Sequence, residues 1–269
     1  MNIPWQTGGK KRFYILSIFF LIILSIGLLF VSRPGVYIMT DEAELFIYGK
    51  NRAILQTLKA SFSLFRPVII VSMPSSADLD LQLTSIEKSA PPPGALIVPI
   101  RYQPAAEAYS KKHPQVDVIL WGQGSASSFV NTFFVDYAAD ISRAAGIAGP
   151  LASKTGLPPA IVFPLSFTEE YRNQLKQAFD EGLLAYGFSQ GAVVLEKGNE
   201  AGLSLSSMTL FPSDASLQSI VAPIILFSGI RKDLLSKSVI AVFDDSPWPH
   251  IAALISGEKR FLSVLNDDL

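Results

Sequence analysis

Residues Pro67–Trp121 read PVIIVSMPSSADLDLQLTSIEKSAPPPGALIVPIRYQPAAEAYSKKHPQVDVILW, and this stretch decides the fold. It holds three short apolar runs: PVIIV at Pro67–Val71, Ala95–Ile100, and VDVILW at Val116–Trp121. Runs that are apolar along their whole length suit strands buried on both faces. Between them lie two segments with helical spacing. Ala77–Lys88 carries Leu79, Leu83 and Ile86 on one side, and Pro104–Lys112 is stopped by His113-Pro114. Strand and helix alternating across turn signals such as Pro91-Pro92-Pro93-Gly94 imply βαβ crossovers and a parallel sheet.

The same unit recurs on both sides. Upstream, Val36–Met39 is a strand ending at Thr40-Asp41-Glu42. Thr40 or Asp41 can cap a helix that carries Leu45, Ile47, Tyr48, Ile54, Leu55 and Leu58. Gly49 weakens that helix without ending it. Downstream, Asn131–Val135 is a strand and Asp136–Ser153 an alanine-rich helix whose small residues suit close packing; Pro150 either ends it or is absorbed as a kink. Lys154–Pro159 is a turn cluster. The rhythm then restarts with the strand Ala160–Pro164 and a helix capped by Thr168 and ended by Gly187. Strands at Ala192–Glu196, Ile224–Phe227 and Val239–Phe243 follow, with a loop over Gly198–Ser207 and short helices at Ser213–Ser219 and His250–Ile255. Phe261–Leu265 reads as a last strand. The expected fold class is therefore α/β, with two Rossmann-like lobes of parallel βαβ units over residues 36–136 and 137–269 and a chain return to the first lobe after residue 246.

Ahead of the first lobe, Phe13–Val31 reads FYILSIFFLIILSIGLLFV, with no charge and no proline. About nineteen such residues cross a ~30 Å hydrocarbon core as a helix. Lys10, Lys11 and Arg12 precede the run and only Arg33 follows it. The charge bias makes residues 1–12 a cytoplasmic leader and puts everything after residue 31 on the other side. The expectation is an uncleaved, single-pass signal anchor in the inner (cytoplasmic) membrane, with the C-terminal domain outside the cytoplasm. A cleaved signal peptide is the alternative; the apolar run exceeds the usual h-region, and VSRPG lacks an A-x-A-like cleavage site.

The chain has 269 residues, 49% of them hydrophobic and 17% charged, which implies a buried body and not a disordered stalk. A formal net charge of −1 provides no basic face for nucleic acid. The absence of cysteine removes thiolate catalysis, disulfides and thiolate metal sites. Only His113 and His250 offer imidazole, so no metal centre and no cofactor are expected.

Ligands of open parallel sheets bind outside the carboxyl ends of the strands. That rule selects Thr40, Asp41, Ser75, Arg101, Tyr102, Trp121 and Gln123 from the first lobe. From the crossing and the second lobe it selects Asp136, Tyr137, Ser166, Ser228, Asp244, Asp245 and Trp248. Trp121, Tyr102 and Trp248 can stack on a flat ring or sugar face. Asp41, Asp136 and Asp244 can accept hydroxyl or amine protons, and Arg101 can hold an anionic group. Each also has a structural reading: turn or helix cap for the aspartates, packing for the tryptophans, a surface ion pair for Arg101.

Gly187-Phe188-Ser189-Gln190-Gly191 matches the G-x-S-x-G elbow, and Asp244 or Asp245 followed by His250 supplies a hydrolase order. That elbow needs a strand before the serine and a helix after it, whereas here the order is helix then strand. A serine hydrolase stands as a third reading.

Three segments carry a resemblance: VDVILWG at Val116–Gly122, FFVDYAADISRAAGIAGPLASKTG at Phe133–Gly156, and VIAVFDDS at Val239–Ser246. Together they resemble type I periplasmic-binding proteins, the middle segment being similar to the basic-membrane-protein, nucleoside-binding branch. The resemblance implies no enzymatic activity. It implies two lobes that close on a small polar ligand, sugar- or nucleoside-like, and a transporter or signalling partner. Three features depart from that pattern. The anchor is a helix, the first strand ends TDEAE, and little chain follows Val239–Phe243, so the return strands are expected to be shortened or absent. A degenerate relative that serves as an interaction module at the membrane is the alternative.

Overall fold

The computed structural model of the chain describes residues 7–73, 79–122, 130–164, 167–195, 209–210, 222–227, 237–258 and 260–266. Its first sheet is built on β1 (Gly35–Asp41), paired in parallel with β2 (Val68–Met73) on one side and β3 (Pro93–Pro99) on the other. β3 pairs with β4 (Asp117–Trp121), and β4 with β5 (Asn131–Val135), again in parallel. The alternation of β1 explains its unbroken apolar run. Val36 and Ile38 enter a core with Leu45, Tyr48, Ala53 and Ala60, while Tyr37 and Met39 enter another with Leu83, Ile86, Ala106 and Tyr109. A central strand covered by helices on both faces has no polar side to show.

α2 (Glu42–Tyr48) and α3 (Lys50–Leu64) cover one face; α4 (Leu79–Glu87) and α5 (Gln103–Lys112) cover the other. The single helix expected over Asp41–Leu58 is in fact two. Gly49 takes φ +96° and donates its N–H to the Leu45 carbonyl, which closes α2 before α3 begins. A side chain is strained at that φ, so glycine here ends a helix instead of merely weakening one.

α6 (Tyr137–Thr155) leads into the second sheet and absorbs Pro150 within its length. That sheet has the order β12 (Val264–Asn266), β10 (Val239–Asp244), β9 (Ile224–Phe227), β8 (Thr209–Leu210), β6 (Ala160–Val162), β7 (Val193–Leu195). All its pairings are parallel except β12 with β10. α7 (Glu169–Leu184), capped by the Thr168 hydroxyl on the Tyr171 N–H, packs on α6. The contact is close because Gly182 faces the Ala145 methyl and Gly149 faces the Tyr186 ring. β8 is not anticipated by the sequence reading. The loop expected over Gly198–Ser207 and the helix over Ser213–Ser219 lie outside the described residues.

After β10 the chain returns. A 3₁₀ turn (Trp248–His250) and α8 (Ile251–Ile255) place Trp248, Ile251 and Leu254 in the first lobe's core. β11 (Arg260–Phe261) then adds to β5 in parallel, and β12 goes back to β10. The single strand expected over Phe261–Leu265 is thus two strands in two sheets. The return strands are short but present. Between them the Ser263 N–H donates to the Asp140 carboxylate at 3.0 Å, and the Ser263 carbonyl accepts from Arg143 at 2.9 Å.

α1 (Thr7–Val31) precedes all of this, with side chains described from Leu16 on. Every large apolar side chain from Leu16 to Val31 is exposed except Phe30. Among the described residues no helix is long and apolar enough to cross a membrane. Phe30 meets Phe65 edge-on at 5.7 Å between centroids, and the Arg33 guanidinium lies 5.0 Å over the same ring.

Candidate functional site

The carboxyl ends of β1, β3 and β4 gather one polar group. Asp41 caps α2 by accepting the Glu44 N–H at 2.6 Å. Its other oxygen accepts from Arg101, in the 3₁₀ turn Ile100–Tyr102 after β3, at 2.8 Å. Arg101 forks to Glu44 at 2.6 Å, and the buried Thr40 hydroxyl donates to the second Glu44 oxygen at 3.0 Å. Burial works against the Arg101 charge. The Glu44 and Tyr102 hydrogen bonds and the two carboxylates outweigh it and raise its pKa further. Tyr102 lies under the guanidinium at 5.0 Å. The cluster carries two carboxylates and one cation, so it favours hydroxyl or amine donors. Arg101 is expected from sequence to hold an anionic group; its fork is instead taken by Asp41 and Glu44. Glu44 is the residue the sequence reading misses, although its place three residues after the Asp41 cap is a capping-box signal.

Trp121 ends β4 half-buried against the first lobe's core, and its indole N–H has no hydrogen-bond partner among the described residues. Gly122 follows at φ +119° with Ile100 against its Cα, which sets the turn there.

A second group forms where the chain crosses between the sheets. Asp136 caps α6 by accepting the Ala139 N–H at 3.1 Å. The buried Tyr137 hydroxyl donates to Asp245 at 2.6 Å. Asp244, 1% exposed at the end of β10, accepts from Arg52 of α3 at 2.5 Å and from the Ser246 N–H and hydroxyl. Arg52, also missed from sequence, lies 4.3 Å over the Tyr48 ring and ties the first lobe to the second. Burial raises the Asp244 pKa, with Ser246 and Arg52 opposing. Burial also lifts Asp245 to about 6; the Tyr137 bond opposes this and the Asp244 charge adds to it. His250 is pushed down to about 4 by burial, against its bond to the Asp244 backbone.

Trp248 departs from its expected stacking role. It is 3% exposed and packs on Tyr48 at 5.6 Å, because the returning chain carries it into the first lobe's core. Thr40, Asp41, Arg101 and Tyr102 come together; Asp244, Asp245 and Tyr137 come together; Trp121 stands at the end of β4 and Asp136 serves as a cap. Ser75, Gln123, Ser166 and Ser228 lie outside the described residues. Ser189 is exposed in a turn that follows α7 and precedes β7, with Gly187 at φ +79° and Gly191 at φ +70°. The strand–turn–helix context of a nucleophile elbow is not built there. An open recess of about 610 Å³ lies between α2, α3 and β2, lined by Glu42, Leu45, Phe46, Lys50, Ile54, Ile70 and Ser72.

No protein-family model matches the sequence, and no curated protein matches it. Solved structures do match the fold. A LacI transcriptional regulator from a Rhodococcus species is 12% identical, with 87% of this chain and 97% of that chain covered at a TM-score of 0.56. AraP, an arabinose-binding protein from Geobacillus stearothermophilus, is 13% identical over 82% and 86% of the two chains at 0.57. An ABC transporter solute-binding protein from Aeropyrum pernix K1 is 13% identical over 86% and 73% at 0.52. At such identities the likeness speaks for the fold alone, which is that of type I periplasmic-binding proteins: α/β, with parallel sheets in two lobes.

Proposed function

We propose that the chain is a membrane-tethered, extracytoplasmic solute-binding or sensor protein whose two lobes close on a small, uncharged polyhydroxyl ligand, sugar- or nucleoside-like. The observation that carries the ligand chemistry is the Asp41–Arg101–Glu44 group at the strand ends. Its excess of carboxylate accepts hydroxyl protons and repels anions. Trp121, at the end of the neighbouring strand β4, supplies an aromatic ring and a buried indole N–H with no partner among the described residues. Neighbours of this fold that carry a bound ligand include a regulator holding glucose and a solute-binding protein holding D-arabinose. The tether is Phe13–Val31. Supporting it are the uncharged run, the Lys10-Lys11-Arg12 bias and the solvent-facing apolar surface of α1. A transporter or signalling subunit in the same membrane is the expected partner.

The experiment is thermal denaturation of the full chain in detergent against neutral sugars, nucleosides and amino acids. A ligand at a hundred times its Kd adds about 2.7 kcal/mol to stability. The reading predicts a hit among sugars or nucleosides that is lost in Trp121→Ala. A hit among anionic ligands alone refutes the ligand chemistry.

One observation favours a second reading. The carboxylates at the strand ends already hold partners from the chain itself. A lobe pair locked by such contacts would act as an interaction module at the membrane, and a null result across the whole ligand panel selects it.

A further inference from the structure

α3 is amphipathic in the inverted sense. Its face toward the sheet carries the small residues Ala53, Thr57, Ala60 and Ser61, all buried. Its outward face carries the large apolar ones, Ile54, Leu55, Leu58 and Phe62, and Phe62 is 78% exposed. Lone exposed apolar residues are ordinary, but a stripe at helical spacing marks a contact surface. The charge of the segment is equally one-sided: Lys50–Arg66 contains Lys50, Arg52, Lys59 and Arg66 and no aspartate or glutamate. Arg52 is held by Asp244; an exposed apolar stripe in a segment whose charges are all cationic is the pattern of a helix resting at a lipid surface.

The path of the chain indicates the same occupant. The last turn of α1 meets the C-cap of α3 through Phe30 and Phe65, and Arg33 lies over Phe65. At 1.5 Å per residue, Phe62 is about 4.5 Å and Leu58 about 10 Å along α3 from that meeting point. The headgroup layer outside the hydrocarbon is roughly 5–8 Å deep on each side. Once α1 spans the bilayer up to Val31, Phe62 is within that layer and Leu58 at its margin. We infer that the C-terminal part of α3 from Leu58 and the two residues after it, Phe65 and Arg66, dock with Arg33 on the anionic headgroups of the membrane that holds α1, fixing the first lobe against the bilayer. The inference rests on the tether proposed above.

The chain has no cysteine, so single cysteines report cleanly. Phe62→Cys, Leu24→Cys and Lys112→Cys are labelled with an environment-sensitive fluorophore. The full chain is reconstituted in phosphatidylcholine–phosphatidylglycerol vesicles. Quenchers are lipids carrying a nitroxide near the headgroup or in the acyl chain, and aqueous iodide. The inference predicts loss of most of the position 62 signal to the headgroup nitroxide and little to iodide. Position 24 responds to the acyl-chain nitroxide and position 112 to iodide alone. Lys59→Gln with Arg66→Gln weakens the position 62 response in these vesicles. If position 24 responds to lipid and position 62 only to iodide, the docking fails and the tether stands. If position 24 does not respond to lipid, the tether itself fails. If position 62 is shielded from both quenchers and unlabelled Phe62→Cys oxidises to a dimer, a second copy covers the stripe and the inference is overturned.

Discussion

Arg52→Ala tests the tie between the two lobes most directly. Asp244 is 1% exposed and Arg52 33% exposed, and they meet at 2.5 Å. Removing one partner of a fully buried pair costs about 3–5 kcal/mol, because the remaining charge has lost both water and its counter-ion. Two features reduce that figure here. Asp244 keeps the Ser246 N–H and hydroxyl, and water reaches the guanidinium side of the pair. The expected loss at neutral pH is about 2 kcal/mol. Asp244 can also escape the penalty by taking up a proton, and burial already raises its pKa. Loss of Arg52 raises it further, so the cost shrinks as the pH falls. The assay is urea unfolding of the full chain in detergent, followed by tryptophan fluorescence, to which buried Trp248 contributes, at neutral and acidic pH. A cycle with Asp244→Asn removes the separate contribution of Arg52 over the Tyr48 ring. The reasoning is refuted if the two substitutions add to within about 0.5 kcal/mol, or if the Arg52→Ala cost is the same at both pH values.

Gly182→Ala sets a new methyl 2.5 Å from the Ala145 Cβ, an atom that cannot swing away, and should cost about 1–3 kcal/mol in denaturant unfolding by forcing α6 and α7 apart. Gly49→Ala places a side chain at φ +96° and should lower stability by about 1–2 kcal/mol, whereas Gly27→Ala, with open space at its Cβ, should be silent in the same assay. His250 and Asp245 oppose each other with pH. His250, lowered to about 4 in the fold, contributes stability above its free value of 6.5 that is lost on acidification. Asp245, raised to about 6, contributes stability below its free value of 3.8 that is lost as the pH rises through 6. Relative to the parent chain, His250→Gln should therefore gain stability, and Asp245→Asn should lose it, as the pH falls from about 6.5 to 4, by up to ~3 kcal/mol; parallel profiles would refute both assignments.

Much of the architecture is legible in the sequence because local physics writes it there. The apolar runs of β1, β3 and β4 have no polar face, which only a strand covered on both sides tolerates. Thr168 and Asp136 announce the starts of α7 and α6 through side chains that satisfy orphan N–H groups one turn on. The uncharged run at Phe13–Val31 is read as a helix and lies within α1. Gly49 shows the limit of such reading: whether a glycine merely loosens a helix or ends it depends on the φ its surroundings impose.

What belongs to the tertiary structure alone is every pairing between residues far apart in the chain. Arg101 reads as a free cation until the fold sets it between Asp41 and Glu44, about sixty positions upstream. Asp244 finds Arg52, 192 residues away, and Trp248 turns from a candidate ligand platform into core when α8 returns to the first lobe. β11 and β12 read as one strand because a two-residue gap with no turn signal hides a change of sheet. A strand's period and a helix's cap act over a few residues, so the sequence alone determines them. Charge pairing and burial act through space, and only the packed chain decides which groups meet.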